Sequence, residues 1–432
     1  MRHSFLPAFL LLGLAVGLTA EPVRIDPASG LLRVGETARV TLADSAADDT
    51  PSLVAVLKRD GATEIGRLPL VRSAPAAPVE VAFTLREPGA VLAVLSPAEG
   101  GARRARAGFL FSPELIRTAV PRSEDFDAFW DGKLAALAST PLDARIDSGR
   151  PGHIPPTGVH YGRFDLAVSA TERVRGQFAH PDRVGEKFPA LVIFQWAGVY
   201  PLDPGTVQGP AARGWLALNV FAHDQPFDEP REFYGDLAKG ALKDYGALGA
   251  DDRERSYFLR MFLGARRALD FVRQHPAWDG RVLVVQGTSQ GGTQALVAAA
   301  LDPAVTAVLA NVPALCDQNG PEAGRAMPYP YWLAKTAGHD RAAVAATARY
   351  FDVAHFAPRV RAPVLVSAGL IDETCPPAGI AAMANALGGP REVLFMPQAD
   401  HKGTGNTHAP YLERAKIWLE TLRLTGTPPL AP

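Results

Sequence analysis

Hydrophobic residues in the N-terminal quarter of the chain recur in short alternating runs, separated by Gly, Pro, Asp and Ser. Alternation with a period of two is typical of half-buried strands, and several short strands at this spacing indicate a β-sandwich. The predicted strands are 38–42, 53–57, 79–85, 90–95 and 107–111. The pattern therefore predicts a small all-β, sandwich-like domain over residues 21–115.

From residue 116 onward, strand-like apolar runs alternate with helical ones. Apolar residues at helical spacing predict helices near 123–137, 256–272, 378–387 and 410–422, and Ser123 is placed to cap the first of them. Apolar runs between the helices predict strands at 174–178, 190–194, 214–221, 281–286, 305–309, 363–367 and 392–396. This alternation indicates a mostly parallel sheet with helices on both faces. We predict an α/β domain over 116–426, with a short tail at 427–432.

The stretch 281–297 combines a buried strand, a serine between glycines and a helix. Its segment Gly287-Thr-Ser-Gln-Gly fits the G-x-S-x-G pattern of a nucleophile elbow. A sharp strand-to-helix turn leaves no room for side chains beside the serine, and it directs the Ser289 hydroxyl and the Gln290 amide to one point. The pattern alone is loose, but the strand and helix around it favour the functional interpretation. The segment predicts a nucleophilic Ser289 in an α/β-hydrolase fold.

A serine nucleophile requires a base and an acid that orients the base. In this fold they follow in the order serine, acid, histidine. Asp372 ends the strand-like run from 364, and His401 lies just beyond the run 392–396. The competing candidates are Glu373 and Asp400 for the acid and His408 for the base. We predict the triad Ser289, Asp372 and His401.

The oxyanion hole of such an enzyme takes one amide from the residue after the nucleophile, which is Gln290. A second amide comes from the loop after an early strand, here the segment Trp196-Ala-Gly-Val-Tyr. Small residues at 197 and 198 let the backbone approach a carbonyl oxygen, so Val199 is the predicted second donor. Trp196 and Tyr200 are predicted to wall the substrate site, with core packing as the alternative.

The charge balance excludes several partners. The 432 residues carry 44 Lys+Arg and 45 Asp+Glu, and no basic run drives binding to nucleic acid or to anionic membranes. Residues 1–20 show a basic start and an apolar run before Glu21, the pattern of a signal peptide cleaved near Ala20. No later segment reaches the length of an apolar membrane span. We therefore expect an exported protein, periplasmic or extracellular.

The chain has 2 cysteines, Cys316 and Cys375, too few for a disulfide framework. They can pair or stay buried and free, and the free state is favoured. No cysteine and histidine cluster has the spacing of a metal site. The sequence thus predicts neither a metal nor an organic cofactor.

These motifs resemble the acetyl xylan esterase and cephalosporin-C deacetylase family of α/β-hydrolases. The Leu-Ile-Asp-x-x-Cys-Pro-Pro segment and the Gln-Gly-Gly after the serine are far more specific than G-x-S-x-G. The matching pieces are Ser-Glu-Asp-Phe-Asp-Ala-Phe-Trp at 123–130, Gly-Thr-Ser-Gln-Gly-Gly at 287–292, Asn-Val-Pro-Ala-Leu-Cys at 311–316, Tyr-Phe-Asp-Val-Ala-His-Phe-Ala at 350–357 and Gly-Leu-Ile-Asp-Glu-Thr-Cys-Pro-Pro at 369–377.

The resemblance implies that Ser289, Asp372 and His401 form the family's triad and that Gln290 and Val199 supply its oxyanion amides. It implies a small acyl group, most simply acetyl, on a polysaccharide or oligosaccharide as the substrate. The family's hexamer makes a homo-oligomer an expectation for this chain.

The sequence departs from the family at three places. Lys402 follows the histidine where the family has glutamate, and it becomes a candidate substrate contact. His223-Asp-Gln replaces the family's Arg-Gly-Gln segment; the Arg-Gly-Gln at 175–177 lies in an earlier strand. The N-terminal β-domain lies outside the resemblance; a structural or partner-contacting cap is favoured for it over a glycan-binding module.

Two other interpretations stay open. A serine peptidase related to the prolyl oligopeptidases shares the fold, the elbow and an N-terminal β-domain, although the β segment here is far too short for a propeller. The second is a glycan-binding protein whose hydrolase domain has lost activity. The intact serine, aspartate and histidine argue against it, and the two altered segments keep it open. Hydrolysis of simple acetyl esters would distinguish these interpretations.

Overall fold

A computed structural model of the protein describes residues 23–42, 53–72, 78–100, 103, 105–150, 152–334 and 339–430. The predicted signal peptide, residues 1–20, lies outside these ranges. Within them, no helix combines the length and the apolar character needed to cross a membrane.

The N-terminal region is all-β, as predicted, and forms two sheets. Its strands are β1 (Val23–Asp26), β2 (Leu31–Leu32), β3 (Thr37–Leu42), β4 (Leu53–Arg59), β5 (Thr63–Pro69), β6 (Val71–Arg72), β7 (Val79–Thr84), β8 (Gly89–Pro97) and β9 (Ala105–Phe111). One sheet has the order β1-β3-β7-β6 and the other β2-β9-β8-β4-β5. Inward-facing residues such as Val40, Leu57 and Phe109 form a common core between them. The sequence pattern did not predict β1, β2, β5 and β6. Three of them are short, and β5 is mostly exposed.

The described residues from 113 onward build a nine-stranded sheet and its helices. The strands are β10 (Arg145–Ser148), β11 (Val159–Ala167), β12 (Arg173–Pro181), β13 (Phe188–Phe194), β14 (Leu216–Val220), β15 (Trp278–Thr288), β16 (Ala307–Asn311), β17 (Val364–Gly369) and β18 (Arg391–Met396). The helices are α1 (Phe126–Ser139), α2 (Gly205–Ala212), α3 (Arg231–Lys239), α4 (Tyr257–Gln274), α5 (Gln290–Leu301), α6 (Arg341–Phe351), α7 (Val353–Phe356), α8 (Pro377–Ala386) and α9 (Ala409–Thr425).

The sheet order is β10-β11-β12-β14-β13-β15-β16-β17-β18. The first four strands pair antiparallel, and all pairs from β14 to β18 are parallel. Helices cover both faces, because one core cluster packs α1, α4, α5 and α7 against the sheet and a second packs α2 and α9 against the other face. The predicted mostly parallel α/β-hydrolase sheet is confirmed.

The start of α1 corrects one prediction. The residue at its N-terminus is Asp125, and no side chain caps the helix. Ser123 contributes its carbonyl, which accepts from the Phe126 amide at 3.1 Å, so it precedes the helix as a turn residue. The apolar spacing of the helix was predicted correctly: Phe126 and Trp130 are fully buried. The predicted boundary near residue 115 falls between β9 and α1.

Candidate active site

Ser289 occupies the sharp turn between β15 and α5. Its backbone has φ 55° and ψ −123°, a strained conformation for a residue with a side chain. A Cβ atom at Gly287 would lie 2.2 Å from the Gly291 carbonyl carbon, and one at Gly291 would lie 2.4 Å from the Phe194 carbonyl oxygen. Both positions therefore require glycine, and the turn has the geometry of a nucleophile elbow.

A continuous chain of hydrogen bonds joins the three predicted triad residues. His401 Nε2 lies 2.9 Å from Ser289 Oγ, and His401 Nδ1 lies 2.8 Å from Asp372 Oδ2. The other carboxylate oxygen of Asp372 accepts the amides of Thr374 and Cys375, each at 2.8 Å. Because the ionised carboxylate can only accept, Nδ1 carries the proton, and Nε2 is left as the acceptor for the serine hydroxyl. The structure brings the three residues together, and their catalytic roles stay predictions.

The competing candidates are engaged elsewhere. The Glu373 carboxylate pairs with two arginines at 2.7 Å. The Asp400 carboxylate accepts bonds from within its own loop. The ring of His408 contacts the Asn311 amide at 3.2 Å and the Asp400 carbonyl at 3.0 Å. These contacts favour Asp372 and His401 as the acid and the base.

Gln290 is the first residue of α5, where backbone amides have no partner within the helix. Its side chain is fully buried, and Oε1 accepts from the hydroxyls of Tyr245 at 2.8 Å and Tyr329 at 3.1 Å. The Tyr245 hydroxyl also accepts the Gly198 amide at 3.1 Å. These tyrosines tie the start of α5 to the loop after β13. The sequence pattern missed both, because nothing local distinguishes them from core aromatics.

His223 holds the peptide that carries the predicted second oxyanion donor. Its Nε2 lies 2.9 Å from the Gly198 carbonyl, and its Nδ1 lies 2.6 Å from the Tyr257 hydroxyl. Complete burial lowers the pKa of His223 to about 4, despite the opposing effect of the Gly198 hydrogen bond, so the ring is neutral near pH 7. Since a carbonyl only accepts, Nε2–H donates to Gly198. The amide of Val199 belongs to the same planar peptide and therefore points away from His223.

A cavity of about 600 Å³ opens beside the serine. Ser289 and His401 line it together with Trp196, Lys402 and Leu412. Trp196 is 57% exposed, so a large aromatic face is available at the site. The structure thus places Trp196 and Lys402 where the sequence predicted substrate contacts.

Tyr200 contacts Trp196 and is not among the residues that line this cavity. Its hydroxyl donates to the Trp196 carbonyl at 3.2 Å, and the two rings are 5.8 Å apart. Burial raises the pKa of its phenol, which stays protonated. Tyr200 therefore contacts Trp196, and its place in the wall of the substrate site stays a prediction, with core packing as the alternative.

Both cysteines are free and buried. Burial, reinforced by the Asp372 charge, raises the pKa of the Cys375 thiol well above its usual range, so it stays an unreactive thiol. Asp372, Cys375 and His401 bring one ligand atom each within 4.8 Å of the others. Two of these atoms belong to the hydrogen-bonded acid and base pair, and a metal ion there would compete with that bond. The absence of a metal stays a prediction.

The elbow, the parallel sheet and the hydrogen-bonded serine define an α/β-hydrolase. The chain belongs to the acetyl xylan esterase (AXE1) family, whose sequence model matches residues 114–419. It is therefore a carboxylic ester hydrolase of a carbohydrate esterase family.

Individual relatives agree with this assignment. Acetyl esterase Axe7A of Xylanibacter ruminicola is 29% identical over 313 residues, 72% of this chain and 70% of the relative. The solved acetyl xylan esterase from Paenibacillus sp. R4 is 26% identical with a TM-score of 0.60, covering 71% of this chain and 96% of its own. Acetyl xylan esterase 1 from Thermoanaerobacterium sp. JW/SL YS485 has a TM-score of 0.56 at 22% identity, covering 69% of this chain and 96% of its own, and supports the fold.

Proposed function

We propose that the protein removes short acyl groups, most simply acetyl, from polysaccharide or oligosaccharide esters by way of an acyl-enzyme on Ser289. The observation that carries this proposal is the hydrogen-bonded chain from Ser289 through His401 to the buried Asp372. The relatives' names, acetyl esterase and acetyl xylan esterase, support the acyl group and the sugar. Family membership also favours the esterase over the peptidase alternative.

The first half of the reaction forms the acyl-enzyme. His401 Nε2 takes the proton of Ser289 as the hydroxyl oxygen attacks the ester carbonyl carbon. Negative charge develops on the carbonyl oxygen, toward which the amides of Gln290 and Val199 would donate. As the tetrahedral intermediate collapses, the bond to the sugar oxygen breaks, and His401 returns its proton to the leaving alcohol.

The second half releases the acid. Water attacks the acyl carbon while His401 again accepts a proton, and the Ser289 oxygen leaves with that proton. Asp372 keeps the imidazole oriented in both halves and stabilises its positive charge. All of these steps use side chains and amides of this chain.

The cavity suggests how a sugar ester is held. The exposed ring of Trp196 offers an apolar face for a pyranose ring to stack on, and Lys402 offers a cation beside the site. We propose that both contact the sugar and the acyl group lies deeper, against Ser289. The signal-peptide pattern of residues 1–20 predicts export, which would bring the enzyme to polymeric substrates outside the cytoplasm. A homo-oligomer is also part of the proposal.

Acetate release from 4-nitrophenyl acetate and from acetylated xylan tests the proposal directly. We expect wild type to cleave both and Ser289→Ala to lose ~10⁴-fold or more in kcat/KM. Cleavage of the small ester alone would retain the esterase and reject xylan as the glycan. No activity of wild type on either substrate would reject the proposal and favour the glycan-binding alternative.

A matched pair of variants separates the two candidate bases. His401→Ala should lose about as much activity as the serine variant, because the nucleophile then lacks a proton acceptor. His408→Ala should lose no more than about tenfold, since its ring contacts Asn311 and the Asp400 carbonyl and does not touch the serine. The reverse order of losses would reject His401 as the base.

A further inference from the structure

One arginine of the N-terminal β-region contacts two loops of the hydrolase domain. The acid loop, residues 370–376, carries Asp372, and the base loop, residues 397–408, carries His401. Arg106, on β9, donates from Nη1 to the Ile371 carbonyl at 3.0 Å and to the Glu373 carboxylate at 2.7 Å. Its Nη2 lies 3.8 Å from the Asp400 carboxylate. Ile371 and Glu373 flank Asp372 in sequence, and Asp400 directly precedes His401. A single guanidinium therefore joins the immediate neighbours of two triad residues.

The acid loop depends on such contacts for its shape. Asp372 is aligned by the amides of Thr374 and Cys375, which lie on the far side of Glu373 in the chain. The Ile371 carbonyl and the Glu373 side chain, both held by Arg106, set the path of the backbone into and out of Asp372. A shift of this loop would lengthen the hydrogen bond from the Asp372 carboxylate to His401.

The base loop is organised around the Asp400 carboxylate. Its Oδ1 accepts the amides of Lys402 at 3.1 Å and Thr404 at 3.0 Å, and its Oδ2 accepts the Thr404 hydroxyl at 2.8 Å. Arg106 approaches the same Oδ2 from the β-region. The carboxylate that holds the turn around His401 is therefore also the one that the arginine reaches.

Arg106 projects from a strand that is itself fixed against the hydrolase sheet. A Cβ atom at Gly108, two residues along β9, would lie 2.1 Å from the Leu370 carbonyl oxygen, so the two backbones meet directly. Ala90 and Leu110 of the β-region pack with Leu370 and Ala378 in one buried cluster. The strand therefore presents the guanidinium from a rigid support, and 17% of the Arg106 side chain is exposed.

Both carboxylates stay ionised beside the arginine. Burial raises the pKa of Glu373, but hydrogen bonds and charges from Arg103 and Arg106 outweigh it and the pKa is lowered. Burial likewise acts to raise the pKa of Asp400, and hydrogen bonds from Thr404 and Lys402, with the Arg106 charge, lower it overall. The three-way ionic contact therefore persists at neutral pH.

We propose that Arg106 is a positioning residue for the reaction and that the N-terminal β-domain braces the acid and base loops through it. This inference rests on the proposed roles of Asp372 and His401. It assigns a function to a domain that lies outside the matched family region. Arg106 touches neither the nucleophile nor the cavity wall formed by Trp196, and it acts only through the two loops.

The test compares Arg106→Gln with wild type in the full-length chain. With 4-nitrophenyl acetate, we expect kcat to fall about 10- to 100-fold, because a misplacement of about 1 Å has effects of this size. KM should stay within about twofold, because the substrate contacts are unchanged. Labelling of Ser289 by a fluorophosphonate should slow in parallel, and circular dichroism should show a folded protein.

Arg103→Gln is the matched control. Arg103 pairs with the same Glu373 oxygen at 2.7 Å, but half of its side chain is exposed, and exposed ion pairs contribute little. Its kcat should stay within about twofold of wild type. A wild-type kcat in folded Arg106→Gln, even with a lowered Tm, would overturn the proposal and leave a merely structural contact.

Two further outcomes are informative. If Arg106→Gln does not fold, Glu373→Gln carries the test, since it removes the partner and leaves the β-region intact. A lowered kcat of Glu373→Gln at unchanged KM would then support the positioning role of Arg106, and a wild-type kcat would overturn it. Failure of the proposed function would look different, because wild type itself would then neither cleave the ester nor react with the probe.

Discussion

At the residue scale, the neutral ring of His223 fixes the peptide between Gly198 and Val199. It is fully buried, donates to the Gly198 carbonyl and contacts the Tyr257 hydroxyl through its other ring nitrogen. Because carbonyl and amide of one peptide are fixed to each other, the ring sets the direction of the Val199 amide. A neutral imidazole therefore holds this peptide without placing a charge beside it.

His223→Phe tests this assignment, because it keeps an aromatic ring and removes both hydrogen bonds. We expect kcat for 4-nitrophenyl acetate to fall about 10- to 100-fold, less than or comparable to the loss of one oxyanion donor. Tyr257→Phe is the control: it leaves the bond to Gly198 in place and should cost no more than about threefold. Equal losses in the two variants would contradict the assignment.

At the element scale, β11, β12 and the end of α4 meet through three histidines, of which His160 and His180 are stacked and His275 lies edge-on to His180. The ring centroids of His160 and His180 are 4.8 Å apart, and those of His180 and His275 are 5.5 Å apart. Burial, with smaller contributions from the His180 and His160 charges, lowers the pKa of His275 to about 4. Burial lowers the pKa of His180 as well. The contact between these elements therefore favours the neutral rings of His180 and His275.

Because these rings are neutral in the folded state, the free energy of unfolding should fall as the pH is lowered. An unfolded histidine has a pKa of about 6.5, so the unfolded state binds more protons than the folded state between about pH 6.5 and 4. The stability that His275 contributes is complete above pH 6.5 and is lost as the pH falls. In urea titrations, the free energy of unfolding of His275→Gln should fall less steeply with decreasing pH over this range than that of wild type. The two slopes should differ by at most about 1.4 kcal/mol per pH unit. Parallel curves for the variant and wild type would refute the prediction.

At the scale of the whole molecule, the β-region and the hydrolase sheet should unfold together. The direct backbone contact between β9 and the loop after β17 leaves no space for a methyl group at Gly108. All 6 tryptophans lie beyond residue 116, so tryptophan fluorescence reports on the hydrolase domain alone. If a substitution in the tryptophan-free β-region shifts the unfolding transition seen by tryptophan fluorescence, the two domains unfold in a coupled manner.

Gly108→Ala should therefore lower the urea midpoint seen by tryptophan fluorescence, by an amount equivalent to about 1–3 kcal/mol. Gly66→Ala is the matched control in the same region, because its added methyl would meet only Leu57, at an ordinary 3.9 Å. That variant should leave the fluorescence midpoint unchanged. A midpoint that responds to neither substitution would show that the domains unfold independently.

Much of the fold was predictable because it is encoded in local patterns. The elbow, its strand and helix, and the parallel strands β13 to β18 appear as short apolar runs with glycine or loop residues at their ends. Strands β10 and β5 were missed because most of their residues are exposed and leave no apolar period. The helix start at Asp125 was missed because the turn before it uses a backbone carbonyl, which any residue supplies.

The sequence by itself determined the α/β class and the family, and it predicted the order of serine, acid and histidine, since each depends on residue types at short spacings. Only the tertiary structure decided that His401 meets the serine and Asp372 meets His401. It also decided that Tyr200 contacts Trp196, that His223 holds the Gly198 peptide, and that Arg106 reaches both loops. Arg106 lies 265 positions before Ile371, and no local pattern records that pair. Contacts between distant segments are fixed by how the sheets pack, because a hydrogen bond requires two atoms within about 3 Å in space and sets no condition on their separation along the chain.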